Sequence, residues 1–226
     1  CADATEERAL VRVRAVLDAA EAGPVTVRTT VAGVEHSEEH TLAAGENQIG
    51  WTVTVPDPDL WWPHALGDQP LHDVEVTVLL GATASDDRTR RTGLRRVQLR
   101  DWVASVNGER LFLKGSNVGP TRPALGTTDP EELRRGVALA VDAGLDLLRV
   151  HSHVSRPELY EAADEAGLLL WQDLPLHGGF ARTVRKQAVR QAREAVDLLA
   201  HHPSVAVWCG HDEPVPPADP RDQVDD

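Results

Sequence analysis

The chain has 226 residues, 41% of them hydrophobic, and a formal net charge of −13. Its basic residues form no stripe and its balance is acidic, which excludes nucleic acid as an expected partner because phosphate binding needs the opposite charge. No apolar run reaches the length of a membrane span, and the apolar content suffices for the core of one large domain or two ordinary ones.

Up to about residue 98, apolar and polar residues alternate with a period of two. Gly, Pro and Asp residues that favour turns separate the alternating stretches, as at 22–24 and 55–58. Strands of this pattern pack one face and expose the other, which is typical of antiparallel sandwiches. We therefore predict an immunoglobulin-like β-sandwich domain over residues 1–98. Its clearest strands are expected around 11–17, 25–31, 49–55 and 74–80.

After about residue 100, apolar strand patterns alternate with helical ones. Asp129, followed by Pro130, begins a predicted helix that Gly144 ends. Ser155 begins a second helix that Gly167 ends, and a third follows before Pro203. Such alternation predicts a parallel sheet with helical crossovers. The strands are expected at 111–114, 145–151, 168–174 and 205–209.

The length of this second region favours half of a barrel. A complete (β/α)8 barrel needs roughly 250 residues, whereas 226 − 98 leaves 128. We predict that residues 99–226 form the N-terminal half of a TIM barrel, and we expect the natural protein to be longer. The chain opens on Cys1 and contains no Met. We interpret this as truncation, with an excised domain or a mature lipoprotein as alternatives.

Polar side chains gather where the predicted parallel strands end. The carboxyl ends of parallel strands meet at one rim, which is where barrel enzymes carry their functional groups. Contributions from four different strands favour a site over four unrelated strand caps. The candidates are Asn117, Arg149, His151, His153, Trp171, Asp173, His211, Asp212 and Glu213.

A linked set of motifs resembles glycoside hydrolase family 2. The matches run in the family's order along nearly the whole chain, and the W-Q-D and W-C-G forms favour the β-mannosidase-like branch. The matching segments are LWWPH at 60–64, GDQPL at 67–71, GLR at 93–95, NG at 107–108, LFLKGSN at 111–117, GLDLLRVH at 144–151, LY at 159–160, DEAG at 164–167, LWQD at 170–173 and HPSVAVWCG at 202–210.

The resemblance implies a retaining exo-glycosidase that uses two carboxylates and no cofactor. Glu213 matches the acid/base, and because an acid must hold its proton, we expect it to be partly desolvated or near another carboxylate. The nucleophile would lie beyond Asp226, so the chain alone should be inactive. The partner would be a β-glycoside or oligosaccharide. The residues that the resemblance implies in substrate binding are Asn117, Arg149, His151, Trp171, Asp173 and Asp212.

Three positions depart from the family pattern, and one of them is His211, which stands where the family has another Asn. Asp212 stands where the family usually has an Asn that donates to the sugar 2-hydroxyl, and an ionised Asp can only accept. Asp146 likewise replaces a common Asn. These departures leave open a non-catalytic carbohydrate-binding relative.

A metal-dependent hydrolase is the other alternative. His151 and His153 form an H-x-H at a strand end, the arrangement with which amidohydrolase barrels hold Zn²⁺, and His177 and His211 could join them. The H-x-H ends the second predicted strand, whereas amidohydrolases carry theirs on the first. We therefore predict no metal ligands.

Overall fold

The computed structural model describes residues 3–180 and 182–213. The chain divides into two compact units that are not consecutive stretches of sequence. The first unit contains residues 1–61, 70–98 and 105–109, and the second contains 62–69, 99–104 and 110–226. Among the described residues, no helix combines the length and apolarity that crossing a bilayer requires.

Strands dominate the first half of the described chain. They order into antiparallel sheets β1-β2-β5 and β4-β3-β6-β7, with a further small sheet β10-β9-β8. The strands are β1 Asp3–Ala4, β2 Arg8–Ala19, β3 Gly23–Val31, β4 Val34–Leu42, β5 Gly45–Pro56, β6 His72–Leu80, β7 Thr83–Thr92, β8 Val97–Arg100, β9 Val103–Val106 and β10 Glu109–Arg110.

The first unit is a sandwich because its two larger sheets share one apolar core. Val11 and Val53 from one sheet and Val27 and Val31 from the other belong to the same buried cluster. Their neighbours along each strand are more exposed, as the period of two predicts. The prediction of antiparallel strands in this region is confirmed; the immunoglobulin-like topology and the boundary at residue 98 stay predictions.

The second unit carries a parallel sheet in the order β11-β12-β13-β14. Helices occupy the connections between successive strands from β11 on, so the predicted β-α alternation is confirmed. Completion into half of a TIM barrel stays a prediction. The strands and α-helices are β11 Gly115–Val118, α1 Pro130–Asp142, β12 Leu147–Val150, α2 Pro157–Ala166, β13 Leu169–Asp173, α3 Arg185–Leu199 and β14 Val205–Cys209, with short 3-10 turns at Leu125–Thr127 and Arg182–Val184.

The first parallel strand is displaced from its predicted position. We expected it at 111–114 with Asn117 behind it, but the strand is Gly115–Val118 and contains Asn117. Gly115 pairs with Leu147, and a Cβ at this glycine would lie 2.8 Å from the Leu147 carbonyl oxygen. The close approach of the two backbones therefore sets where pairing begins, and apolar periodicity does not report it.

The ends of the helices agree with the prediction in part. Asp129 caps α1 by accepting a hydrogen bond from the Glu131 backbone N–H, as predicted. The N-cap of α2 is Arg156, which makes no side-chain capping bond, so the prediction of Ser155 was wrong. The Ser155 backbone N–H donates instead to the hydroxyl of Tyr160, 3.0 Å away, which fixes it outside the helix.

Candidate functional site

The register of the parallel sheet brings three predicted site residues to one level. Asn117 lies opposite Arg149, and Arg149 lies opposite Trp171. Partners in register across parallel strands face the same side of the sheet, as do residues two apart on one strand. Asp173, two residues beyond Trp171, therefore joins this face at the carboxyl ends of the strands.

Arg149 and Asp173 form a tightly bonded ion pair. The Arg149 Nε donates to both Asp173 carboxylate oxygens at 3.0 Å, and Nη2 lies 2.9 Å from Oδ2. The backbone N–H of Ser152 donates to the same carboxylate at 3.2 Å. The Asp173 side chain is 0% exposed. Because its oxygens are occupied and shielded from solvent, Asp173 holds Arg149 in position, and its expected role in substrate binding stays a prediction.

Asp212 is the second anion at Arg149. Its Oδ1 accepts a hydrogen bond from Arg149 Nη2, and its Oδ2 accepts one from His177 Nδ1 at 3.1 Å. Backbone bonds hold the two loops together, because Asp212 N–H donates to Leu176 and Gly178 N–H donates to Asp212. Arg149 thus has two anionic partners among the described residues, Asp173 and Asp212.

The contacts among Arg149, Asp173 and Asp212 shift the pKa values of Asp212 and Arg149 in the directions that ion pairing requires. The Arg149 hydrogen bond holds the pKa of Asp212 below its usual value, with burial opposing and His177 assisting. The bond to Asp173, opposed by burial and assisted by Asp212, raises the pKa of Arg149 above its already high value. Both groups are charged at neutral pH.

The two histidines of the H-x-H pair lie in different surroundings. His151 Nδ1 lies 3.3 Å from Asp173 Oδ2 and 3.4 Å from Asp212 Oδ2. The buried His153 instead donates from Nδ1 to the backbone oxygen of His151 at 2.9 Å. His153 is bonded to the backbone between its own strand and helix, and it belongs to no group of side chains that could hold a metal ion within the described residues.

Trp171 contacts the same cation. The Arg149 guanidinium carbon lies 5.3 Å from the centre of the Trp171 ring, within the range of a cation–π interaction. The indole Nε1 is buried without a hydrogen-bond partner in the described part of the chain. Arg149 therefore covers part of the ring of a residue that the family resemblance implies in substrate binding.

Glu213 follows Asp212 directly but is surrounded differently from what we expected. Its side chain is 79% exposed, and its Oε2 lies 4.0 Å from His177 Nε2. Its backbone φ of +47° is in the left-handed region. The expected partial desolvation is absent because β14 ends at Cys209, four residues earlier, and the carboxylate lies on the following loop.

The sequence indicated His177 only as a candidate metal ligand, yet its side chain lies close to Asp212 and Glu213. It lies four residues past Asp173 in the following loop, and its side chain is 51% exposed. The signal for this contact in the sequence was a histidine in the loop that follows Asp173 at the end of β13. His211 bonds elsewhere, with Nε2 2.6 Å from the oxygen of Gly178.

Within residues 3–180 and 182–213, two groups of side chains could hold a metal ion. One is His151, His177 and Asp212, and the other is Asp173, Cys209 and Asp212. Burial raises the pKa of the Cys209 thiol, with the neighbouring Asp173 charge adding to the effect. That shift disfavours the thiolate that metal binding by Cys209 would need.

A buried network of polar side chains supports the loop that follows β12. The Tyr160 hydroxyl donates to Gln172 at 2.7 Å, and Gln172 donates to the backbone oxygen of His153 at 2.7 Å. Burial raises the pKa of Tyr160 to about 12, so it stays a hydrogen-bond donor. The middle residue of W-Q-D thus fixes the chain that follows β12.

Comparison with known proteins gives matches over both units. The family model described as "Glycosyl hydrolases family 2" matches residues 2–95. The chain is 30% identical to β-mannosidase B of Thermothelomyces thermophilus over an alignment of 233 positions, gaps included, which covers 93% of this chain and 26% of that protein. It is 27% identical to the β-mannosidase of Rattus norvegicus over an alignment of 237 positions, which again covers 93% of this chain and 26% of that protein.

Solved structures agree with the sequence matches. The β-D-mannosidase of Dictyoglomus thermophilum superposes with a TM-score of 0.84 at 25% identity, over 92% of this chain and 28% of that one. The chain thus spans about a quarter of the length of the relatives it matches. By these matches, residues 2–95 are similar to glycoside hydrolase family 2, and most of the chain is similar to β-mannosidases.

Proposed function

We propose that this chain forms part of a retaining glycoside hydrolase that removes a terminal sugar from β-mannosides or a closely related β-glycoside. The observation that carries the proposal is the group formed by Arg149, Asp173 and Asp212 at the strand ends, with Glu213 next in the chain. The similarity to β-mannosidases supplies the substrate class.

Glu213 is proposed as the acid/base. Its carboxyl group is exposed and can reach a glycosidic oxygen, and His177 Nε2 lies 4.0 Å from its Oε2. Protonation of the leaving oxygen is the first step that a retaining enzyme asks of this residue. The same carboxylate then deprotonates the water that releases the sugar.

The other residues are proposed to shape the sugar site. Arg149 supplies a fixed positive charge, held by Asp173, which acts as a positioning residue. Trp171 and Asn117 share the strand level of Arg149, and His151 continues the same face two residues beyond it. Asp212 would accept hydrogen bonds where a family Asn donates, because its carboxylate is ionised.

The retaining mechanism needs a second carboxylate about 5 Å from the first. Asp173 and Asp212 are both bonded to Arg149, which makes them poor nucleophiles. That a residue beyond Asp226 supplies the nucleophile, and that the 226 residues alone do not turn over, both stay predictions.

The test uses the full-length protein and aryl β-mannosides with leaving groups of different basicity. Glu213→Gln should slow hydrolysis of a poor leaving group by roughly the 100- to 10,000-fold that general acid catalysis contributes. With an activated nitrophenyl leaving group, which needs little protonation, formation of the glycosyl-enzyme should change far less. Glu161→Gln, exposed on α2, is the control. Equal losses for both leaving groups would refute the acid role.

A non-catalytic carbohydrate-binding relative is the second candidate, and Asp212 is the observation that favours it. Both Asp212 oxygens already accept hydrogen bonds from Arg149 and His177, so the donor that the family directs at the sugar is missing. Titration calorimetry with mannosides on the full-length protein separates the two candidates. Binding without any hydrolysis would favour the relative, and turnover would exclude it.

A further inference from the structure

The Nδ1 atom of His151 is buried without a hydrogen-bond partner among the described residues. Two carboxylate oxygens surround it, Asp173 Oδ2 at 3.3 Å and Asp212 Oδ2 at 3.4 Å. An unsatisfied buried nitrogen is costly in a folded protein, and each such group calls for an explanation. A ring nitrogen that lies this close to two carboxylate oxygens without a hydrogen bond to either is spaced as the ligands of one metal ion are.

Asp212 divides its two oxygens between different kinds of partner. Oδ1 accepts from Arg149, whereas Oδ2 faces the Nδ1 atoms of His151 and His177, at 3.4 and 3.1 Å. These three donor atoms all lie within 4.8 Å of one another. His177 Nδ1 forms a hydrogen bond with this oxygen, whereas His151 Nδ1 forms none.

We propose that His151 Nδ1, His177 Nδ1 and Asp212 Oδ2 bind a divalent first-row transition-metal ion, with Zn²⁺ as the reference ion. The site goes beyond the proposed hydrolase function, because it requires no substrate and no turnover. Two imidazoles and one carboxylate with an open position are a donor set that such ions prefer.

The distances from Asp212 Oδ2 to the two imidazole nitrogens fit Zn²⁺. Bonds of about 2.1 Å in a tetrahedral arrangement separate neighbouring ligand atoms by about 3.4 Å. The two measured separations from Asp212 Oδ2, 3.1 and 3.4 Å, match that edge. The ion would sit where side chains 36% and 51% exposed open to solvent, so it can enter and exchange.

The outer contacts also fit. Metal-bound imidazoles usually direct their second nitrogen at a carboxylate, which orients the ring. His177 Nε2 lies 4.0 Å from Glu213 Oε2, in that direction. Arg149, through Oδ1, orients Asp212 without occupying the oxygen that would bind the ion. The carboxylates of Asp173, Asp212 and Glu213 outnumber the one Arg149 cation, so a divalent ion reduces the charge imbalance.

The group formed by Asp173, Cys209 and Asp212 is the less suitable of the two. Arg149 already bonds both oxygens of Asp173, so binding there would have to displace an ion pair. A cobalt complex separates the sets, because only a cysteine ligand gives thiolate-to-metal charge transfer. We expect Co²⁺ to give d–d bands without that transition.

The experiment is calorimetric titration of the tag-free, chelator-treated full-length protein with Zn²⁺, followed by elemental analysis after dialysis. The expected result is one ion at this site. His177→Ala should weaken its binding by more than the roughly 10- to 100-fold that loss of an outer partner costs. His177 is half exposed, so this variant should fold, and a thermal melt verifies it. His151→Ala should give the same loss.

Two control variants identify ions bound elsewhere. His36 and His40 flank Glu38 on β4, with imidazole-to-carboxylate distances of 3.5 and 3.7 Å, and His36→Ala removes that competitor. His72→Gln on β6 controls for the number of histidines. Unchanged affinity in a folded His177→Ala, loss of the ion in His36→Ala, no binding at all, or a thiolate transition with Co²⁺ would each overturn the proposal.

Discussion

The two units bury different kinds of side chain. In the first unit, the buried polar side chains among the described residues are Thr29 and Thr92. The second unit buries charged and amide groups as well. These are Thr128, Asp146, His153, Asp164, Gln172, Asp173, His202, Ser204 and Asp212.

The second unit pairs the charges it buries. Asp164 contacts His202 Nδ1 at 2.6 Å and accepts from the Ser204 backbone N–H at 3.0 Å. Asp146 lies 3.3 Å from the ammonium of Lys114. Buried carboxylates are tolerated when they are paired and hydrogen-bonded. The first unit is therefore specified mainly by apolar packing, and the second by packing together with polar pairing.

The comparison predicts its largest effect at Asp173. Asp173→Ala should destabilise the second unit by about 3–5 kcal/mol, because it leaves the Arg149 charge without its main partner. Urea unfolding followed by fluorescence measures this. Glu39→Ala, exposed on β4, is the control and should change stability by less than about 0.5 kcal/mol. A loss below about 1 kcal/mol at Asp173 would mean that pairing does not specify this unit.

In the first unit, packing should give the next largest effect. A Cβ at Gly93 would lie 2.7 Å from the Cβ of Trp61, which is 0% exposed. Gly93→Ala should therefore cost about 2 kcal/mol through overpacking. Gly23→Ala is the matched control, because nothing lies within 4 Å of its Cβ position. Equal thermal shifts for the two variants would contradict the packing explanation.

A smaller effect is expected at a buried polar bond in the first core. The Trp51 indole donates to Thr29 Oγ1 at 2.9 Å, and Thr29→Val should cost about 1–2 kcal/mol by leaving that donor buried and unsatisfied. Replacing Trp51 by Phe in the same chain should lower the additional cost of Thr29→Val. The double-mutant cycle fails as support if the two changes simply add.

The smallest effect is expected at exposed ion pairs, whose contribution to stability should be similar in the two units. Arg190 Nε and Glu194 Oε1 lie 3.8 Å apart on the surface of α3. Glu194→Gln should change the free energy of unfolding by less than about 0.5 kcal/mol, because solvent screens the pair. The same urea assay measures it. A loss above about 1 kcal/mol would show that surface charge contributes to the difference between the units.

Periodicity predicted strands wherever one face is buried, which covers β2, β3, β5 and β6. It gave no signal for β4 and β7, the edge strands of their sheet. In β7 only Thr92 is buried, so the strand shows no apolar alternation and its pairing comes from backbone hydrogen bonds. Tertiary pairing decided these strands, and no local pattern in the sequence reports it.

The site was predictable as a set of strand ends but not in its bonding. Arg149, Asp173 and Asp212 do meet at one rim. Sequence alone could not show that Arg149 binds both carboxylates, or that Glu213 lies exposed on a left-handed turn. Which partner a charge selects depends on distances set by three separate strands.

The contact between His64 and Gly167 has a consequence for how this chain may be cut. The His64 backbone N–H donates to the Gly167 oxygen at 2.9 Å, and its ring lies 2.9 Å from the oxygen of Leu145. Residues 62–69 thus complete the second unit although strands of the first precede and follow them. A fragment of residues 99–226 would lose both contacts, so we expect it to be less stable than a fragment that also contains residues 62–69.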